Sequence, residues 1–298
     1  MKKEVGFIGL GQMGRWMALN LLKAGFDLTV FDSDAKATAL LIDSGAKGVD
    51  SPSDLSKRVD WIILCLPNTD AIEKVVLGEK GVVLGSRPGQ IVVDCGTSDF
   101  SWTIDFAASL QKHELRFADA PVTGMEKRAK QAALTIMYGG EEDILKEIQP
   151  ALEAMGNRIV FMGDVGSGQL AKLINQLLFN ANLAVIAEVL PMAVKLGLNP
   201  EKITQVINTG SGRSFASEFF IPNILENRFD QGYSLKNAYK DMASAAKLAA
   251  DRQIPLPMVN SALTTYQMAL QMGYADEDKG AMIKVFERLL KVKFRRSK

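Results

Sequence analysis

The chain has 298 residues, with 35 Lys and Arg against 34 Asp and Glu. That length suggests two domains or one large one with a sizeable core, and the near-neutral balance argues against a general nucleic-acid or membrane-surface binder. Cys65 and Cys95, each in or at the end of an apolar run, read as buried thiols in a reducing compartment rather than a disulfide. No uninterrupted apolar run of membrane-spanning length stands out, because the longest apolar region, Leu170 to Leu198, carries Lys172, Asn175, Gln176, Asn180, Asn182 and Glu188. Met1-Lys2-Lys3 before an apolar stretch only faintly mimics a signal peptide, since glycines and Gln12 interrupt it. These features predict a soluble, cytoplasmic chain that needs no nucleic acid, membrane or metal, and the basic ending Lys291 to Lys298 reads as a solvated tail.

In chain order, Val5 to Ile8 reads as a buried strand that leads into Gly9-x-Gly11-x-x-Gly14 and then a helix, Met13–Ala24. Each glycine has a physical task. Gly9 permits a tight turn, Gly11 lets a pyrophosphate approach the backbone, and Gly14 lets the helix pack close to the strand. The free N–H groups and the helix dipole attract the phosphates. A second strand, Leu28–Phe31, ends in Asp32, at the distance where an acid meets an adenosine ribose. Asp32 is followed by Ser33, Asp34 and Ala35 rather than by an arginine, so NAD is expected over NADP.

Helix Ala35–Ser44 follows. Ser51-Pro52-Ser53-Asp54 marks a helix start. Trp61 to Leu66 is an apolar strand ended by Pro67-Asn68, and a short helix covers Thr69–Val76. Strand Ile91–Asp94 leads to the turn Gly96-Thr97-Ser98, helix Ser101–Lys112 and strand Arg116–Ala118. Beyond a loop at Pro121 come strand Leu134–Tyr138, helix Glu141–Met155 and strand Arg158–Phe161. Apolar strands alternating with helices predict a mostly parallel sheet covered on both faces. Past Gly166-Ser167-Gly168 no strand signal remains. A long helix over Gln169–Leu196, with a bend at Pro191, and helices from Asn199-Pro200 to Asn208 and over Ser217–Glu226, Leu235–Arg252, Pro257–Gln271 and Lys279–Lys291 predict an all-helical half. The expected domains are 1–163 and 164–298.

Four stretches carry candidate chemistry. Leu66-Pro67-Asn68 and Gly96-Thr97-Ser98 each follow a strand, at the carboxyl edge of the sheet. In Asp119-Ala120-Pro121-Val122-Thr123-Gly124, the Thr123 hydroxyl and Gly124 N–H can together hold a carboxylate. Lys172, Asn175 and Gln176 share one helical face through i, i+3, i+4 spacing. A lysine among apolar neighbours either snorkels to water or is held for chemistry. The single histidine, His113, sits at an exposed helix end, so Lys172 is the better acid or base. Its ordinary pKa, about 10.4, must be lowered for that work at neutral pH.

Taken together, Gly6 to Gly14, Asp119 to Gly124, Gly168 to Gln176, Gly212-Arg213-Ser214, Lys240-Asp241 and the ending around Asp276-Glu277-Asp278 and Ile283-Lys284-Val285 resemble the β-hydroxyacid dehydrogenase family over essentially the whole chain. The resemblance implies an N-terminal Rossmann α/β domain and an all-α C-terminal domain joined by a long helix. It implies Lys172 as the catalytic residue and Thr123 and Gly124 as substrate contacts, with Asn175 or Gln176 beside them. Gly9, Gly11, Gln12, Met13, Gly14 and Asp32, with Leu66, Pro67, Thr97 and Lys240, are the implied cofactor-binding residues. It implies a homodimer or homotetramer formed through the helical half.

Two departures mark the chain. Thr123 stands where the family usually has serine, and Met125 where it usually has a second glycine, followed by the bulkier, charged Glu126-Lys127-Arg128. Gln176 replaces an asparagine. The expected activity is NAD-dependent interconversion of a small 3- or 4-hydroxy acid and its semialdehyde, of the 3-hydroxyisobutyrate, 4-hydroxybutyrate or tartronate semialdehyde type. A reductase of a sulfonated or phosphorylated aldehyde, with Lys127 or Arg128 reading the charge, and a non-catalytic dinucleotide-binding module are the alternatives.

Overall fold

The computed structural model of the chain describes residues 3–296, so the expectations for Met1-Lys2 and Ser297-Lys298 lie outside the described residues. The chain divides into two compact units, Met1–Lys172 and Leu173–Lys298.

The first unit holds strands β1 (Glu4–Ile8), β2 (Asp27–Phe31), β3 (Lys47–Gly48), β4 (Trp61–Leu64), β5 (Ile91–Asp94), β6 (Arg116–Asp119), β7 (Val122–Thr123), β8 (Leu134–Gly139) and β9 (Gly156–Gly163). They form one sheet in the order β3-β2-β1-β4-β5-β6-β8-β7, with β9 also on β8. β1 to β6 pair in parallel; β8 runs antiparallel to β6 and β7, and β9 lies parallel to β8. The chain starts at β1, moves outward to β3, then returns to lay β4 on the other side of β1. That reversal opens a crevice beyond the carboxyl ends of β1 and β4.

Helices α1 (Gly14–Lys23), α2 (Ala35–Asp43), α3 (Pro52–Ser56), α4 (Thr69–Leu77), α5 (Phe100–Gln111), α6 (Met125–Lys130) and α7 (Glu142–Met155) accompany the strands. Their starts are chemically marked: Ser51, Asn68 and Asp99 each accept a backbone N–H at the first turn, which satisfies donors the helix cannot. The pleat sends alternate strand residues to opposite faces. Phe7, Ile63 and Val93 enter one core with Met17, Leu21 and Ile148, while Ile8, Ile62 and Val92 enter another with Leu55, Ile72 and Phe106. Both faces are therefore apolar, as the uninterrupted strands predicted.

Three short stretches depart from the expectation, the first being β3, which had no strand signal. The loop at Pro121 contains the short strand β7. The charged run after Gly124 is not a loop but helix α6.

Helix α8 (Ser167–Lys195) begins in the first unit, enters the second after Lys172 and continues as helix through Pro191. The second unit adds α9 (Pro200–Thr209), α10 (Phe215–Leu225), α11 (Leu235–Asp251), α12 (Pro257–Gln271), a 3₁₀ turn (Lys279–Met282) and α13 (Ile283–Leu290). Its core gathers Leu183, Leu190, Phe220, Ile224, Met242, Tyr266 and Ile283. Against the reading drawn from its polar interruptions, α8 is by length and composition apolar enough to cross a membrane, the one such helix among the described residues. Its Leu183, Ala184, Ala187 and Leu190 are instead buried in the core of the second unit.

The expected solvated tail is also corrected. Phe294 is fully buried, and the buried Glu287 carboxylate accepts its N–H at 2.9 Å and the Arg295 guanidinium at 2.6 Å. A buried carboxylate must be paired, and the tail supplies the partners.

Candidate active site

The glycine turn has the shape its spacing predicts. Gly9 has φ +98°, and a side chain there would strike the Cys65 carbonyl. A Cβ on Gly14 would collide with the Gly9 carbonyl, whereas one on Gly11 would meet nothing within 4 Å. So Gly9 and Gly14 are required by the fold itself, while Gly11 leaves open a cradle that a bound group can fill. Gln12 is exposed and Met13 half-buried beside it. Asp32, directly after β2, accepts the Leu10 N–H at 2.5 Å and the Asp34 N–H at 2.8 Å. Its carboxylate is thereby fixed beside the turn. These residues fit a dinucleotide: a bare backbone cradle at a helix N-terminus for phosphates, and an acid on the neighbouring strand for a ribose.

The next two turns line up along the same edge. The Leu66 side chain lies 3.0 Å from where a Gly9 Cβ would be, and a Cβ on Gly96 would stand 2.8 Å from the Leu66 carbonyl. Leu66 and Thr97 are half-buried and Pro67 is exposed. The turns after β1, β4 and β5 therefore form one rim.

Lys172 lies in the second turn of α8 at 9% exposure, and its Nζ donates to the Val122 carbonyl at 2.8 Å. This seats the amine at the residue that precedes Thr123-Gly124, and it does not snorkel outward. One turn on, Asn175 is exposed and Gln176 half-buried, while the apolar flank Ile174 and Leu178 faces out. Lys240 is exposed on α11 of the second unit, and His113 is exposed just past α5. Burial pushes the Cys65 thiol up to about 12, with the Asp94 charge adding to this and the Lys172 charge opposing it. The Cys65 thiol is therefore held in its neutral form.

The charged segment acts differently from the expectation. Glu126 accepts hydrogen bonds from Arg15 at 2.8 Å, Trp16 at 2.9 Å and Gln12 at 3.1 Å, and it pairs with Lys130 at 3.2 Å. It ties α6 to α1. Burial works against its charge, but these donors outweigh burial and pull its pKa down to about 2. The Arg128 Nε donates to the Ala133 carbonyl at 2.8 Å, just past the end of α6, and Arg128 and Lys127 are both exposed. Met125 holds φ +59°, a left-handed conformation that explains a preference for glycine there.

The sequence reading missed a buried polar group. Asp94 and Asp119 end adjacent strands in register and are fully buried, beside Ser98 and Gln169. Burial raises both carboxyl pKa values, that of Asp119 to about 6, while the backbone N–H groups of Gly166 and Gln169 pull the latter back down. An acid closing an otherwise apolar strand was the available signal.

A parallel sheet with a glycine-rich phosphate cradle at its switch point, an acid on the next strand and a buried lysine by the rim define a dinucleotide-dependent oxidoreductase. Residues 4–163 match the family described as the NAD binding domain of 6-phosphogluconate dehydrogenase, and residues 166–286 the family described as NAD-binding of NADP-dependent 3-hydroxyisobutyrate dehydrogenase. The chain is 35% identical to 2-(hydroxymethyl)glutarate dehydrogenase of Eubacterium barkeri, over 96% of this chain and 95% of that one. It is 32% identical to the NAD-dependent L-serine dehydrogenase of Pseudomonas aeruginosa, over 96% and 98%. The crystal structure of 3-hydroxyisobutyrate dehydrogenase from Salmonella typhimurium superposes with a TM-score of 0.89 at 28% identity, covering 96% and 100%. The chain belongs to the β-hydroxyacid dehydrogenase family.

Proposed function

We propose that this protein is an NAD-dependent dehydrogenase of a small acid of the form HO–CH₂–CH(R)–COO⁻, which it interconverts with the corresponding semialdehyde. The substrates named for the three relatives share that unit, a primary alcohol β to a carboxylate, and differ in R. The observation that carries the reading is Lys172, buried and bonded to the Val122 carbonyl beside Thr123, in a unit that also holds the dinucleotide cradle.

Gly9, Gly11 and Gly14 with Gln12 and Met13 hold the pyrophosphate, and Asp32 accepts the ribose hydroxyls. Leu66, Pro67 and Thr97 line the rim, and Lys240 also serves the cofactor. The chemistry that bound NAD would supply is a hydride acceptor for the carbinol carbon. The Thr123 hydroxyl and Gly124 N–H hold the substrate carboxylate. Lys172 Nζ takes the hydroxyl proton during oxidation and returns it during reduction, and Asn175 or Gln176 orients the oxygen. A positioned acid/base of this kind is worth roughly 10²–10⁴-fold in rate.

Exposed apolar side chains along α8, among them Leu178, Val185 and Met192, support assembly into a homodimer or homotetramer. The test of function is reduction of NAD by the purified protein with 3-hydroxyisobutyrate, L-serine and 2-(hydroxymethyl)glutarate, with the 2-hydroxy acid lactate as control. Turnover of one or more of the first three and not of lactate is expected. No turnover of any of them defeats the reading.

A further inference from the structure

The start of α8 is gripped from two sides. The Asp119 carboxylate accepts the backbone N–H of Gly166 at 2.6 Å and of Gln169 at 2.7 Å. The Gln169 side chain reaches the turn after β5. Its Oε1 accepts the Ser98 N–H at 3.0 Å, and its Nε2 donates to the Asp94 carboxylate and to the Gly96 carbonyl, each at 3.2 Å. The Ser98 hydroxyl donates to that same Asp94 oxygen at 2.7 Å. One helical turn later Lys172 donates to the Val122 carbonyl, and Val122 lies in the segment that follows Asp119. A ring closes: Asp119, the first turn of α8, Lys172, Val122, and back along the chain to Asp119.

This arrangement is costly. Two carboxylates and an amide, none more than 1% exposed, have been taken out of water. Such networks are often no more stabilising than apolar residues of the same volume, although breaking one of them is severe. An ordinary cap at the helix start would satisfy the N–H groups with less desolvation. What the network adds is placement. Asp119 sets the rotation of the first turn of α8. Gln169, three residues before Lys172 and on the same helical face, sets the distance from that face to the Gly96–Ser98 turn, in which Thr97 is assigned to the cofactor rim.

We propose that Gln169 is a positioning residue for the reaction, fixing the Lys172 amine relative to the Gly96–Ser98 turn. The proposal rests on the reading of Lys172 as the acid/base.

The test is Gln169→Met in the full-length protein, which keeps length and bulk while removing both the donor and the acceptor. The assay uses NAD and whichever hydroxy acid the wild type oxidises. A small misplacement of reacting groups is expected to lower kcat by roughly 10–100-fold, with KM for the acid and affinity for NAD held within about threefold. The primary deuterium isotope effect on kcat, with the acid deuterated at its carbinol carbon, should rise as the chemical step becomes limiting. A residue that only anchors the helix would reduce the fraction of active protein and leave the isotope effect and both affinities unchanged, and that result overturns the proposal.

In a Lys172→Ala background, Gln169→Met should change kcat less than about twofold, because no amine remains to be placed; an equal drop in both backgrounds also overturns it. If Lys172→Ala abolishes turnover while Gln169→Met keeps wild-type kcat, only the positioning role fails. If Lys172→Ala keeps wild-type turnover, the reading of the active site fails first. Should Gln169→Met not fold, Gln169→Glu retains the acceptor for Ser98 and loses the donor to Asp94. It should show the same rise in isotope effect, and an unchanged value counts against the proposal.

Discussion

The Nζ of Lys172 donates a 2.8 Å hydrogen bond to the carbonyl of Val122, the residue before Thr123. The amine of a buried lysine thus points at the turn assigned to the substrate carboxylate. Lys172→Ala is expected to lower kcat by roughly 10²–10⁴-fold, the usual worth of a positioned acid/base. NAD affinity, measured by nucleotide fluorescence, should stay within about twofold, because the phosphates belong to the glycine turn. Turnover within a few-fold of wild type would leave the lysine with a packing role only.

Asp32 is the residue proposed to set the cofactor choice. Its carboxylate is held by the Leu10 and Asp34 N–H groups, so it cannot easily swing away from a 2′-phosphate, which would meet repulsion there. We expect kcat/KM to favour NAD over NADP by at least tenfold, about 1.4 kcal/mol. Asp32→Ala with Ser33→Arg should shrink or invert the ratio. Both cofactors should also bind somewhat more weakly, since the brace on Leu10 is lost. Equal use of NAD and NADP by the wild type would contradict the placement of Asp32.

The glycines of the turn separate binding from folding. A Cβ on Gly11 meets nothing, whereas one on Gly14 overlaps the Gly9 carbonyl. Gly11→Ala should leave the melting temperature within a degree or two and weaken NAD by an order of magnitude or more, while Gly14→Ala should destabilise the fold itself by about 1–3 kcal/mol, as overpacking does. Comparable melting losses for the two variants would show that Gly11 is not an open cradle.

Glu126 gives a pH-dependent stability with a definite sign. Its folded pKa, about 2, lies below the ordinary value of 4.5. Its stabilisation is therefore complete above pH 4.5 and lost as pH falls toward 2. Glu126→Gln should lower unfolding stability in urea at pH 7 and do so progressively less as pH approaches 3. A difference that does not vary with pH would mean that the carboxylate charge is not what joins α6 to α1. Asp119 acts in the opposite direction: its folded pKa, about 6, lies above 3.8, so its ionisation costs stability as pH rises through that window.

Much of this protein is written locally in its chain. Strand Trp61–Leu64 is short and wholly apolar, Ile91–Asp94 is apolar up to its closing acid, and Ser51, Asn68 and Asp99 announce the helices that follow them. The glycine spacing from Gly9 to Gly14 and the acid at Asp32 are readable because a tight turn and a phosphate cradle demand particular residues at particular offsets. The i, i+3, i+4 pattern likewise placed Lys172, Asn175 and Gln176 on one face without reference to anything distant.

What escaped the sequence is what depends on residues far apart in the chain. β7 is two residues long and has no period to read, and α6 is a six-residue charged segment whose structure is secured by Arg15 and Trp16, more than a hundred positions earlier. Phe294 is buried because Glu287 holds its backbone, although a run of basic residues around it suggests solvent. The tertiary structure alone put Asp119, Gln169 and Asp94 in contact, across separations of 50 and 75 residues. Periodicity reports which side of an element is apolar. It does not report which buried polar group will find which partner, because that pairing is settled by the desolvation cost of leaving any one of them unmatched once the sheet and helices have packed.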